Sequence, residues 1–216
     1  MRSNALVCIA LLPLLVAPSV SAQSTNPVTA RVAIGPFLGL NNTSAYGSDA
    51  TDVSSRTDFA FGGQLDVGLS PDVLFRTGLI YSRRGFDAFD SGTSLSFKIS
   101  YVEVPLLVGY RFPTGSNLRP YIMGGGQFGI KVGCLFEGRN GSASATVACE
   151  DPNIGGDFES TDFSVVGGAG IAMPVGLDRF VVDVRYAVGL MKIERNSEIK
   201  NRGFTFGMGL MIPVGN

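Results

Sequence analysis

Protein chemistry needs groups that can carry a proton, attack a substrate or hold a metal. This sequence has few of them in usable patterns. Its 216 residues include no histidine, which excludes Ser-His-Asp and Cys-His nucleophilic catalysis and removes the commonest general base and metal ligand. Carboxylates remain. Glu103 is the third residue of YVEVPLLVGYRF (101–112), a run otherwise apolar or aromatic except for Gly109 and Arg111. Carboxylates alone can do acid–base work, so an enzyme built on Glu103 with Asp66 or Asp183 stays an open alternative. The main expectation is a non-catalytic protein with no cofactor and no metal.

Two further patterns have a chemical reading and a plainer one. Gly124-Gly125-Gly126-Gln127-Phe128-Gly129 fits G-x-G-x-x-G. A dinucleotide site needs that motif between a strand and the start of a helix, whereas here it lies inside an alternating segment, where small residues mark crowding of the wall. The acidic stretch Glu150, Asp151, Asp157, Glu159, Asp162 could attract a divalent cation, but its spacing fits no cation loop and a solvated loop is the plainer reading.

The N-terminus carries a different signal. Arg2, an apolar stretch from Ala5 to Val16 and the small-residue site Val20-Ser21-Ala22 read as a signal peptide over residues 1–22, leaving 23–216 as one domain. A membrane anchor would need about 20 apolar residues, and a lipoprotein signal would need more apolar chain before Cys8. Export leaves Cys134 and Cys149, which point to one disulfide closing a 16-residue loop, stabilising by about 3 kcal/mol in the loop-entropy model. Two free thiols are the alternative. A net charge of −1, with 16% of residues charged, argues against a nucleic-acid partner.

Eight segments must position these residues: 29–40, 58–70, 73–84, 96–112, 118–133, 161–173, 179–193 and 202–213. Each alternates with a period of two, and turn signals such as Ser70-Pro71-Asp72 separate them. The connections run long, short, long, short: about 17 residues, two or three, about 11, about five, about 27, about five and about eight. Long loops outside and tight periplasmic turns are the mark of an outer-membrane barrel, and an even strand number puts both termini in the periplasm.

Phase decides which face meets lipid. One face of each segment is bulky and uncharged, as in Val102, Val104, Leu106, Val108, Tyr110 and Phe112. The opposite face carries Asp66, Arg76, Glu103, Arg111, Arg119, Lys131, Asp183 and Arg185 among glycines and other small residues. An Arg or Lys facing lipid at mid-depth costs ~2–4 kcal/mol, so the charged face is expected to line the lumen. A soluble lipocalin-like barrel, with the apolar face inward, is the alternative. Five basic and three acidic side chains in a narrow lumen are tolerable only when paired. A salt-bridge network centred on Glu103 is therefore expected to fill it.

YVEVPLLVGYRF resembles the Y-[LIV]-E-[IV]-P-[LI]-L segment of PorT-type outer-membrane β-barrel proteins, and LRPYIMGGGQFGI (118–130) resembles the strand that follows it in that family. The resemblance implies an all-β, eight-stranded antiparallel up-and-down transmembrane barrel in the bacterial outer membrane. Its partners would be outer-membrane lipid or lipopolysaccharide, the barrel-insertion machinery and an unidentified extracellular or envelope protein. One departure concerns the C-terminus, which ends Met211-Ile212-Pro213-Val214-Gly215-Asn216 without the usual aromatic residue. Insertion would then rest on Phe204, Phe206 and Leu210. The functional expectation is a structural, adhesion or surface-binding protein, with a narrow channel for small solutes or ions as the alternative. Pro105, which offers no N–H to a ladder, is expected to sit at a bulge or a local break.

Overall fold

A segment that alternates with a period of two gives a strand with two unlike faces. The computed structural model describes residues 32–50, 52–90, 93–140, 143–149, 151, 158–176 and 178–214. The expected signal peptide, residues 1–22, and the first residues of the first segment lie outside the described residues. Among the described residues the chain forms nine strands and no helix: β1 Val32–Tyr46, β2 Val53–Gly68, β3 Val73–Asp90, β4 Thr93–Arg111, β5 Arg119–Asn140, β6 Ala143–Ala148, β7 Thr161–Val175, β8 Asp178–Lys192 and β9 Lys200–Val214.

The order around the sheet is β4-β3-β2-β1-β9-β8-β7-β5-β6, with β4 also pairing to β5. Eight strands therefore close a ring, and β6 is attached to it through β5. The barrel thus has the expected eight strands, and the described residues hold a ninth because part of the connection after β5 is itself a strand. That strand, ASATVA, consists of small residues and a single valine, so no alternation announces it. The connection of about 11 residues expected between the third and fourth segments is also mostly strand, since β3 runs to Asp90 and β4 begins at Thr93.

The registers fix the geometry of the ring. Stepping across the ladders, Ala33 leads through Asp66, Arg76, Leu107, Gly125, Val166, Ala187 and Gly203 to Thr43. One circuit thus returns to β1 ten residues further on, 33 to 43. Ten residues are about 33 Å of strand and eight interstrand steps about 38 Å, which gives a tilt of about 40°. Both chain ends of the ring lie together, since Val32 pairs with Val67 and with Val214 at the end that carries the short turns.

Burial follows the expected phase on every ring strand. Ala33, Gln64, Arg76, Glu103, Tyr121, Val166, Asp183 and Met211 are buried inside, while Leu38, Phe61, Leu79, Leu106, Ile122, Val165, Val184 and Met208 are exposed outside. Aromatic rings edge this apolar band. At the long-loop end Phe59, Phe61 and Tyr81 lie within 6.1 Å of one another, and Phe204 packs against Tyr186 at 4.6 Å. At the short-turn end Tyr110 and Phe112 meet edge to face at 5.2 Å. From Val102, which pairs with Tyr81, to Phe112 is ten residues, roughly 25 Å of height at that tilt, the thickness of a membrane barrel's apolar band.

Crossing such a band takes about 9–11 residues, yet β3, β4 and β5 have 18, 19 and 22. Their surplus stands above the long-loop edge as a sheet to which β6 adds. Within it a β-bulge between β4 and β5 shifts the register from Tyr101↔Lys131 to Ser100↔Gly133. The extra residue, Val132, reverses the phase of β5, so Cys134 turns inward beside Ile99. Around Pro105 the β3–β4 register is the same on both sides, yet no pairing joins β4 residues 104–106 to β3 among the described residues. This is a break in one ladder without a bulge.

The band makes a quantitative prediction. Leu106→Arg and Met208→Arg, near mid-band at 48% and 51% exposure, are expected to destabilise the barrel by ~2–4 kcal/mol. Phe89→Arg, on the protruding part of β3, is expected to cost less than ~0.5 kcal/mol. Urea unfolding in lipid vesicles measures all three.

Candidate functional site

The inward phase brings charged and polar side chains from most of the ring strands into one narrow lumen, where they form layers. In the first charge layer, the guanidinium of Arg76 (1% exposed) donates from Nε to Asp66 Oδ1 at 2.7 Å and from Nη2 to Asp66 Oδ2 at 2.9 Å. Its Nη1 donates to Asp183 Oδ2 at 2.9 Å and to Tyr121 Oη at 3.1 Å. Tyr121 Oη in turn donates to Asp183 Oδ2 at 3.0 Å. Arg185 completes the layer, donating from Nε to Asp183 Oδ1 at 2.8 Å and from Nη2 to Gln64 Oε1 at 3.0 Å. Two arginines face two aspartates, so the layer is neutral. Each aspartate takes up a two-pronged guanidinium contact, the strongest pairing available to it.

Glycines make room for this. Tyr121 pairs with Gly170, and Gly170 with Asp183. A Cβ on Gly170 would lie 2.6 Å from Tyr121 Cζ and 2.7 Å from Asp183 Cβ. Likewise a Cβ on Gly207 would lie 2.4 Å from the ring of Phe37, over which Arg185 sits at 4.8 Å. The glycine-rich inner face thus has a steric cause: the space that Cβ atoms would fill holds the rings that support the arginines.

The second charge layer contains Glu103. Its Oε1 lies 2.8 Å from Arg84 Nε, while Arg84 Nη1 lies 3.7 Å from Asp162 Oδ2. Glu103 and Asp162 reach this arginine from opposite sides of Gly129, which pairs with both. Ser164 donates to Asp162 at 3.1 Å. Nearby, Asn41 bridges Ser82 at 2.9 Å and Thr205 at 2.8 Å. The residual cavity between the two layers, lined by Phe37, Ser82, Glu103, Gln127 and Arg185 among others, measures ≈ 10 Å³, about one water in size.

Above the second layer the lumen ends in an apolar lid. Ile99, Tyr101, Ile193 and the bonded pair Cys134–Cys149, Cα atoms 5.3 Å apart, form a buried cluster flanked by Phe86, Phe97, Phe158 and Ile199. Phe97 stacks on Phe86 at 5.4 Å and touches Phe158 at 5.2 Å. At the short-turn end Ala33, Leu107, Val181 and Met211 pack the interior.

Of the residues singled out from sequence, the first layer brings together Asp66, Arg76, Asp183 and Arg185, and the second contains Glu103. Three lie elsewhere. Lys131 belongs to the lid, donating to the Phe158 carbonyl at 3.3 Å. Arg111 and Arg119 end β4 and begin β5, at the short-turn mouth. Glu103 is thus partnered by Arg84, which sequence reasoning missed together with Asp162. Both were detectable by parity: Arg84 shares the even phase of Arg76 on β3, and Asp162 that of Ser164 and Val166 on β7. Arg84 stands at the very end of its expected segment, and Asp162 closes an acidic stretch with the composition of a loop. The G-x-G-x-x-G run lies wholly within β5, so it opens no helix. Among the described residues no group of three or more metal-ligating side chains is poised to hold an ion.

Comparison with known proteins places this architecture. Residues 21–195 match the family model described as "Outer membrane protein beta-barrel domain". No curated protein matches the sequence. Among solved structures the chain is similar to outer membrane protein AlkL in lipid bilayers, with TM-score 0.53, 13% identity, 93% of this chain and 97% of AlkL covered. It is also similar to OprG of Pseudomonas aeruginosa, with TM-score 0.50, 12% identity and coverages of 87% and 97%. For neisserial surface protein A the TM-score is 0.48, at 12% identity with coverages of 84% and 97%. At such identities these likenesses speak to the fold alone.

The first layer predicts an asymmetric response to substitution. Arg76→Met strands the buried Asp66, while Asp183 keeps Arg185 and Tyr121, and is expected to cost about 3–5 kcal/mol. Combining it with Asp66→Asn should recover part of that loss, because the stranded charge is gone. Arg119→Gln, at the mouth, should change stability by less than ~0.5 kcal/mol. Equilibrium unfolding in urea, read with a heat-modifiable gel shift, distinguishes the three.

Proposed function

The chain belongs to the outer membrane protein beta-barrel domain family, and on that premise we propose that it is a sealed barrel acting through the surface it presents outside the cell, in a structural, adhesion or surface-binding role. The observation that carries this reading is the filled lumen. An aromatic lid, two guanidinium–carboxylate layers and an apolar layer succeed one another along the axis, and the cavity between the charge layers measures ≈ 10 Å³. An ion crossing it would have to break paired charges with little water to replace them.

The protruding sheet supports the rest of the reading. β3, β4, β5 and β6 extend beyond the long-loop girdle with their charges mated: Lys98 of β4 with Glu137 of β5, and Arg56 of β2 with Asp58 on its own strand and Asp87 on β3. The hydrogen bond from Lys98, together with its charge, holds the Glu137 carboxyl below the usual carboxylate range. The loop after β1 is docked as well, Asp49 accepting from the Glu198 amide at 2.8 Å. A pre-ordered surface of this kind loses little entropy when a partner binds.

In this reading the long hairpins face the medium and the short turns, with both chain ends, face the periplasm, after export directed by residues 1–22. The barrel has no catalytic role. Arg83, over the Phe59 ring at 5.1 Å, and Arg202, over Tyr46 at 5.8 Å, point outward by phase at the long-loop girdle, where the phosphates of lipopolysaccharide would lie. The outward row Phe204, Phe206, Met208 and Leu210 on β9 serves recognition by the insertion machinery. Within the family, YVEVPLLVGYRF favours the PorT-type branch.

Refolded protein in planar bilayers is expected to give no stepwise conductance. A stable open level in the unmodified protein would replace this reading with the narrow channel.

A further inference from the structure

Three arginines of the inward phase belong to neither charge layer. Arg111 closes β4, Arg119 opens β5 and Arg179 follows the first residue of β8. Each shares the parity of inward neighbours, Gly109, Tyr121 and Val181. They therefore converge on the short-turn mouth of the lumen from three strands. Arg119 and Arg179 line one cavity of ≈ 190 Å³ together with Ser116, Asn117 and Pro174. Arg111 lies close enough to feel the charges of Arg179 and Arg119, and its Nε is buried without a hydrogen-bond partner. The inward carboxylate that attracts it, Asp66, already takes two hydrogen bonds from Arg76.

Like charges held together at a mouth repel one another, and an anion that joins them relieves the repulsion. A guanidinium offers a planar fork suited to carboxylate or phosphate. Three of them approaching from different strands match a tetrahedral group with three acceptor oxygens and nearly two charges better than a planar carboxylate. The turn adds a neutral donor in Asn117 beside Arg119.

We propose that this mouth is a binding site for a phosphate-bearing anion, with the phosphate between Arg119 and Arg179 and Arg111 on its inner side. The site lies at the level of the turns and is open on the water side. Its occupant is either a soluble phosphomonoester or the headgroup phosphate of a lipid in the adjoining leaflet. The inference goes beyond the proposed surface role and stands whether or not the lumen conducts.

Two arms separate the sources. In nanodiscs of phosphatidylcholine, titration with glycerol 3-phosphate followed by calorimetry tests the soluble one. In nanodiscs containing phosphatidylglycerol, native mass spectrometry of the released barrel counts retained lipid. Saturable binding is expected in at least one arm, weakened on the order of tenfold in Arg119→Gln/Arg179→Gln, which removes two charge-assisted contacts. Should that variant fail to fold, Arg119→Lys/Arg179→Lys keeps the charge, loses the fork and should still weaken binding. Phosphorus NMR of glycerol 3-phosphate with the unmodified protein reads contact without any variant. Absence of binding in both arms, binding indifferent to the substitutions, or equal binding of succinate would overturn the assignment.

Discussion

A sheet in contact with hydrocarbon must close on itself, because no water is available there for an unpaired strand edge. Everything else in this molecule follows from that closure. Eight strands with a ten-residue stagger tilt by about 40° and enclose a lumen only as wide as the side chains that fill it. The outer face is then obliged to be apolar, and the inner face must be small wherever a large group leans over from a neighbouring strand. Phe37 beside Gly207 and Tyr121 beside Gly170 are two such complementary pairs. Bulk on one strand is matched by a missing Cβ on another, so the glycines of the polar phase form a mould rather than a series of flexible points.

Closure also explains why the charges are arranged as they are. A lone ion in so narrow a space would have neither bulk water nor a counter-charge, a cost of several kcal/mol. Asp66, Arg76, Asp183 and Arg185 balance one another on three strands, and the contacts from Arg76 to Asp66 and Asp183 bridge β2, β3 and β8 across the interior. Backbone ladders fix each strand to its neighbours, whereas this guanidinium ties strands that do not touch. The second layer, Arg84 with Glu103 and Asp162, does the same for β3, β4 and β7. The lumen is therefore cross-braced at two depths and closed above by aromatic rings.

How much of this was legible in the sequence depends on which property is asked for. The face of each residue was legible, because a period of two maps parity directly onto inside and outside. Parity holds only along an unbroken strand, however. The bulge at Val132 reverses it, which is why Cys134 lies inside although its number puts it on the lipid face. β6 escaped because ASATVA carries no alternation, and the ends of β3 (85–90) and β4 (93–95) because the small and polar residues where they meet resemble a loop. The partner of Glu103 escaped for the same reason, since Arg84 lay at the edge of what alternation could define.

Depth was the property that parity could not supply, and it separates Arg111 from Glu103 on one strand. Both face inward, but Arg111 ends β4 while Glu103 lies eight residues further in. At about 2.5 Å of height per tilted residue, that is roughly 20 Å. A charge at the mouth keeps access to water and can remain beside others of its own sign. A charge 20 Å inside has no such freedom and must be met by an opposite one. Arg111 and Arg119 thus share the face of the buried network but not its depth. Distance from the turn, which the sequence does contain, divides the inward charges into those that brace the barrel and those that stand where water reaches them.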